Sequence, residues 1–392
     1  MPDKNANTKK EILRLTIENG SYCIADYSRE MGISVPTVTK LVEELVSDGI
    51  LQDEGKVGTS GGRRPNSYGL NPDAGYFLGI DVGRRHFHIA VTDFKGQVVK
   101  HIEDIAFVLE ANADSFRTIC RRTIDEVVGA GIPWIKVFAV GISLSGRVNP
   151  EKGYSLTYSV SDDIPMLDLF RKELNVPVSI ENDSRAMAYG EYMHLGKAAD
   201  KNMVFINLSW GLGMGMILDG KLYYGKSGFS GEIGHFPLLD NDIICRCGKV
   251  GCLETGASGS ALRRYLEEKL REGRQSSLSA IFEKKGEIEL EEILQAIREE
   301  DVLAIEGIGK IGETLGRGIA GILNIFNPGM IVIGGTLTVG KDYLMLPIKT
   351  AVNKMSLHRV SSDTKILTSD LGRYAAVFGD CLLARAKMLD IL

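Results

Sequence analysis

Residues 202–225, NMVFINLSWGLGMGMILDGKLYYG, hold two apolar runs, NMVFINLSW and GMGMILDGKLYYG, joined through a glycine turn. Short apolar runs bounded by glycine read as a hairpin pair of strands. The same pattern stands earlier in the chain. GYFLGIDVG (75–83), HFHIAVTDF (86–94) and GQVVKHIEDIAF (96–107) read as three strands with turns at Gly83 and Lys95-Gly96. A helix over about Ala113–Gly129, the strand KVFAVGISL (136–144), a helix ending near Asn175, the strand PVSIEND (177–183) and the helix SRAMAYGEYMH (184–194) complete that first pass. After the hairpin come a Gly-rich loop, helices from Ser258 to about Phe326, the strand MIVIGG (330–335) and a final helix from about Tyr374. Two successive βββαβαβα-like halves predict a duplicated α/β fold, two lobes with a cleft between them. The expected boundaries are 72–185 for the first lobe, completed by the C-terminal helix 374–392, and 186–373 for the second.

Just beyond the hairpin lies GEIGHFPLLDNDIICRCGKVGCLE (231–254). His235, Cys245, Cys247 and Cys252 offer one imidazole and three thiolates within 18 residues, a donor set that suits tetrahedral Zn²⁺. Gly248 and Gly251 free the backbone to wrap three sulfurs around one ion. Reduced cysteines beside a core histidine are the plainer reading, but four candidate ligands so close together favour metal. With all four positions filled by protein, the zinc is expected to be structural. Cys23, Cys120 and Cys381 stand alone and read as buried thiols. Glu232 and Glu254 flank the loop, and Asn182-Asp183 end a strand. Strand ends at a cleft are where α/β proteins gather ligands. Carboxylates and an amide there suit the hydroxyls of a sugar, although singly each acid reads as surface charge.

Toward the N-terminus the pattern changes. TKKEILRLTIEN (8–19) is an amphipathic helix stopped at Asn19-Gly20, and a second short helix spans about Ile24 to Met31. Ser34 is a fitting N-cap for VPTVTKLVEELVSDG (35–49), with Pro36 in the first turn. Val38, Leu41, Val42 and Leu45 form its apolar stripe. Ile50-Leu51-Gln52, the basic stretch GKVGTSGGRRP and Tyr68-Gly69-Leu70 then suit a wing. Three helices and a wing over residues 1–71 predict a winged helix-turn-helix. Its DNA-facing candidates are Ser34, Thr37, Thr39 and Lys40 on the third helix and Arg63 and Arg64 in the wing. The unit is not basic overall, with nine Lys and Arg against ten Asp and Glu over residues 1–70, and winged helices also bind proteins. Placement of Glu43, Glu44 and Asp48 late in the helix, away from Lys40, Lys56, Arg63 and Arg64, favours DNA.

The 392-residue length asks for two or three domains, and 44% hydrophobic with 25% charged residues is ordinary for a globular protein. A net charge of −5 excludes a chain that binds polyanions over its whole surface. MPDKNANTKK lacks the apolar centre of a signal peptide, and the apolar stretch from Ile322 to Ile333 is broken by Asn324, Asn327 and Pro328. A cytoplasmic protein without a membrane partner is expected.

IENDSRAMAYGE, GLGMGMILDGKLYYGKSGFSGEIGH, CRCGKVGCLE and NPGMIVIGG together resemble the ROK family of sugar kinases and sugar-responsive repressors over essentially the whole chain. GRRP after a helix-turn-helix is similar to the linker of the repressor branch. The resemblance implies an actin-like, two-lobed, sugar-kinase fold. It implies that Asn182, Asp183, Glu232, His235 and Glu254 contact sugar hydroxyls, and that Asp183 matches the kinases' general base. His235 would give one ring nitrogen to zinc and turn the other toward the sugar.

Departures from the kinase pattern matter equally. The family's Asp-x-Gly-Gly-Thr reads Asp81-Val82-Gly83-Arg84-Arg85, and its second phosphate turn, Gly-Thr-Gly, reads Ser209-Trp210-Gly211. Leu144-Ser145-Gly146 and SVSDDIPMLDL (159–169) also differ from the kinase sequences. Phosphates are cradled by backbone amides and small hydroxyls, so Arg and Trp there argue against ATP and Mg²⁺. The resulting expectation is a sugar-responsive repressor acting on operator DNA as a homodimer or dimer of dimers. An ATP-dependent hexose kinase with an attached DNA-binding head is the alternative, and a protein-docking sensor is a third reading.

Overall fold

The computed structural model describes residues 4–56, 65–158 and 165–391. In space they form two compact units, Met1–Asp183 with Val377–Leu392, and Ser184–Ala376.

The first unit opens with α1 (Lys4–Asn19), β1 (Tyr22–Cys23), α2 (Ile24–Met31), α3 (Val35–Ser47), β2 (Leu51–Lys56) and β3 (Asn66–Leu70). The strands make a small antiparallel sheet in the order β1-β3-β2. Val38, Leu41, Val42 and Leu45 are the buried stripe of α3. Gly32 ends α2 in the left-handed conformation that residues with a Cβ avoid. Ser34 holds the N-cap position, but its hydroxyl makes no capping bond to the backbone. Cys23 is half-buried rather than buried, and its Sγ sits 2.8 Å from Asp26 Oδ2.

The body of this unit comprises β4 (Tyr76–Val82), β5 (His86–Asp93), β6 (Val98–Ala106), α4 (Ala113–Gly129), β7 (Val137–Leu144), the short pair β8 (Val148–Asn149) and β9 (Tyr154–Ser155), α5 (Met166–Leu174) and β10 (Val178–Asn182). Its sheet runs β10-β7-β4-β5-β6, parallel among the first three and antiparallel thereafter.

The second unit is carried by α6 (Asp183–Leu195), β11 (Met203–Leu208), β12 (Leu212–Leu218), β13 (Lys221–Leu222), α7 (Gly259–Arg271), α8 (Ser279–Lys285), α9 (Leu290–Arg298), α10 (Val302–Phe326), β14 (Met330–Gly334), α11 (Lys341–Met355), α12 (His358–Asp363) and β15 (Lys365–Thr368). Its sheet runs β13-β12-β11-β14-β15. In chain order both sheets therefore have the topology third-second-first-fourth-fifth, with the same parallel and antiparallel pairings. That identity is the duplication read from the sequence. The segment from 336 to 373, which the sequence reading passed over, supplies α11, α12 and the edge strand β15.

The last helix, α13 (Ala375–Leu389), returns to the first unit. A Cβ on Gly79 of β4 or Gly141 of β7 would collide with the α13 backbone at Val377 and Asp380. Bare glycines therefore let the helix lie directly on the sheet. The far end of α13 meets the winged helix. Ile12, Tyr27, Leu41, Leu51 and Leu70 share one apolar cluster with Phe77, Phe94, Cys381 and Leu389. Lys10 pairs with Asp390 at 2.9 Å, and Glu54 of β2 pairs with Lys95 at 2.8 Å. The head is fused to the body through a common core. Among the described residues no helix is long and apolar enough to cross a membrane.

Candidate functional site

In the second unit two short turns, Ile233–His235 and Leu253–Thr255, bracket the cysteine loop. The loop closes on itself as Cys245 N donates to Lys249 O and Gly248 N to Cys245 O. His235 Nδ1 lies 3.6 Å from Cys245 Sγ, Cys247 Sγ lies 3.6 Å from Cys252 Sγ, and all four donor atoms fall within 4.8 Å of one another. A zinc tetrahedron with its usual bond lengths has edges of about 3.6–3.8 Å. The donor set and its spacing fit the ion. Burial pushes the Cys252 thiol up to about 12, a preference that a dication at the centre of three sulfurs reverses.

The opposite ring nitrogen, His235 Nε2, faces Glu232 Oε2 at 3.7 Å. Glu254 is drawn inward. Its Oε2 accepts the amide of Leu212 at 2.9 Å, and its Oε1 lies 3.8 Å from Arg246 Nη2. A Cβ on Gly234 would touch the Glu254 side chain, so Glu232, His235 and Glu254 belong to one neighbourhood. Arg246, between two of the cysteines, joins it. Sequence reasoning had passed over that arginine, although a base inside the cysteine run was its signal.

In the first unit Asn182 ends β10, where its Nδ2 donates to Gly146 O at 2.9 Å and to Asp183 Oδ1 at 2.8 Å. Asp81, at the end of β4, is pushed up to about 7 by burial, with the Asp183 charge adding to it. Between Asp81 and α13 stands Ser143 of β7. Its hydroxyl lies 3.1 Å from Asp81 Oδ1 and 2.6 Å from Asp380 Oδ2. A serine has one proton to donate, so two ionised carboxylates would leave lone pair facing lone pair. One of the acids must be protonated, and burial also holds Asp380 far above the usual carboxylate range. Asp380 was not singled out from sequence, where AAVFGDCLLA reads as an apolar helix with one stray acid.

The two turns that depart from the kinase pattern are internally bonded. Gly83 N donates to His86 O, while Arg84 O and Arg85 O accept from Leu109 N and Phe107 N. At the second turn Ser209 O and Trp210 O accept from Gly259 N and Ser260 N, at the start of α7. The Ser209 hydroxyl bonds Asn207 Oδ1 at 2.8 Å and receives the Thr336 amide at 3.2 Å. The Arg263 guanidinium stands 6.0 Å over the Trp210 ring. Helix-terminal amides that could cradle a phosphate are thus spent on the protein's own carbonyls.

On the winged helix, Ser34, Thr37 and Lys40 are exposed and Thr39 is half-buried. Ser34 Oγ and Thr37 Oγ1 bond each other at 2.8 Å, and Thr39 Oγ1 donates to Val35 O at 2.9 Å. Lys40 extends 4.0 Å from Glu44, whose carboxylate is engaged by Lys9 at 2.9 Å. Arg63 and Arg64, and residues 159–164 of the stretch that differs from the kinases, lie outside the described residues.

The profile of the ROK family matches residues 77–387, and that of a winged helix-turn-helix DNA-binding domain matches 6–52. The chain belongs to the ROK family. This ROK protein is 28% identical over 390 residues to the xylose repressor of Caldicellulosiruptor bescii, covering 97% of this chain and 95% of that one. Its fold superposes on the crystal structure of a ROK family transcriptional regulator, a homolog of the E. coli MLC protein, with a TM-score of 0.82, 28% identity and coverage of 99% and 97%. A ROK glucokinase from Streptomyces griseus in complex with glucose and AMPPNP gives a TM-score of 0.67 at 26% identity, covering 79% of this chain and 99% of the kinase. The portion of this ROK protein without a counterpart in the kinase is of the size of its winged helix.

Proposed function

We infer that this protein is a sugar-responsive transcriptional repressor, reading operator DNA through α3 and its wing and sensing a sugar with its kinase-like body. The observation that carries this reading is a winged helix sharing one core with a ROK body in which the first amides of α7 are already bonded to the carbonyls of Ser209 and Trp210. Asn182, Asp183, Glu232, His235 and Glu254 are the sugar ligands in this reading. A structural zinc held by His235, Cys245, Cys247 and Cys252 fixes the imidazole so that Nε2 is left to the sugar. Operator half-sites read by a single α3 each call for a homodimer. The sugar acts by preferring one arrangement of the body while DNA prefers another, which is the condition for any coupling between the two ligands.

Fluorescence anisotropy on the DNA upstream of the protein's own coding sequence, with and without D-xylose and D-glucose, tests this directly. Binding relieved by one sugar is expected. Lys40→Ala should weaken binding about equally on every sequence and lower the salt slope by about one, leaving sugar-induced thermal stabilisation intact. Joint loss of both properties would contradict the division of labour.

Incubation with ATP, Mg²⁺ and a panel of hexoses should give no turnover above background. Phosphorylation that disappears in Asp183→Asn would restore the kinase reading, because the family resemblance matches that residue to the kinases' base.

A further inference from the structure

The outward face at the start of α3 is less polar than its sequence implies. Val35 is the first residue of the helix and is 50% exposed. Pro36 beside it is exposed as well and has no amide hydrogen to offer. The neighbouring hydroxyls are engaged within the helix: Thr39 donates to Val35 O, and Ser34 and Thr37 bond each other, leaving one hydroxyl proton between them. Val38, Leu41, Val42 and Leu45 anchor the opposite stripe in the core, so α3 cannot roll to hide Val35. Half of the Val35 side chain is left to solvent where it stands.

The major groove presents one apolar group, the C5-methyl of thymine, and small apolar side chains at the N-terminal turn of a recognition helix are placed to meet it. We propose that Val35 is a specificity-determining residue that reads a thymine 5-methyl group, so that each operator half-site contains a thymine whose methyl is required for full affinity. The proposal rests on the reading of α3 as the DNA-facing helix. Lys40, one turn further on, supplies the charge that holds the helix against the backbone, while Val35 supplies discrimination.

The test uses the full-length protein to enrich duplexes from a randomised library and then replaces each thymidine of the enriched site with deoxyuridine, one at a time. Removing one methyl that is buried against Val35 should lower affinity about fourfold at a single position per half-site. The same replacement should cost less than about twofold, half of that loss on a logarithmic scale, in Val35→Ala, whereas Val35→Thr, which keeps one methyl in place, should retain the dependence. An enriched site with no methyl-sensitive thymidine, or an equal loss in Val35→Ala, overturns the assignment and leaves DNA binding standing. Failure to enrich any sequence overturns the DNA-reading function itself, and the assignment with it.

Discussion

Cys252→Ser is expected to strip the metal from the second unit and lower its thermal midpoint by about 8–16 °C. The residue lost is 1% exposed and its sulfur lies 3.6 Å from Cys247 Sγ, so the substitution leaves a three-donor site of buried Cys245, half-buried Cys247 and His235. A ligand that binds only the folded state contributes about 4 kcal/mol when its free concentration is a thousandfold above Kd. In a unit of this size each kcal/mol moves the midpoint by about 2–4 °C. Sugar-induced stabilisation should vanish at the same time, because His235 loses the partner that orients its ring. The wild-type protein treated with a strong chelator should follow the variant. Metal analysis that finds well under one zinc per chain in fully folded protein would remove the basis of the expectation.

The first unit should lose stability as the pH rises from about 4 to 7.5, by up to about 4 kcal/mol. In the folded state Asp81 is pushed up to about 7, whereas in the unfolded chain it titrates near 3.9. The folded protein therefore holds a proton through that window that the unfolded chain has released. Asp81's contribution is complete below the unfolded value, declines as the pH climbs toward the folded value, and is flat above it. Asp380→Asn replaces the shared proton with a permanent amide donor to Ser143. Its unfolding free energy should exceed that of the wild type above pH 7, with a shallower slope below. Both proteins carry the same cysteine cluster, so the difference between their profiles isolates the carboxyl pair. Parallel profiles would mean that the two acids do not share a proton.

The duplicated α/β architecture and the winged helix were open to reading because each rests on local periodicity. Short apolar runs bounded by turn residues mark β4, β5, β11 and β12, and the 3.6-residue spacing of Val38, Leu41, Val42 and Leu45 marks α3. The members of the His/Cys cluster were equally plain, since four candidate ligands crowd into one stretch. What stayed hidden depends on contacts distant in sequence. Asp380 acquires its meaning only when α13 lies on Gly79 and Gly141 and meets Ser143. Ser209 and Trp210 looked like bulk at a phosphate turn, and only the fold reveals that their carbonyls consume the first amides of α7. The hydroxyls of α3, read as donors to bases, turn out to be partnered within the helix. Propensity carries no information on where a hydroxyl finds its partner.

Because α13 is threaded back onto the first unit after the whole of Ser184–Ala376, synthesis and folding of the head cannot proceed in step. A ribosome will have released β4, β7 and the winged helix long before the segment that covers them is made. Until then Phe77, Ala139 and the head's underside remain uncovered, and contacts that span most of a chain close slowly. Nascent chains halted before residue 375 should therefore be held by chaperones and silent toward DNA, so that a truncated transcript yields no partially active repressor.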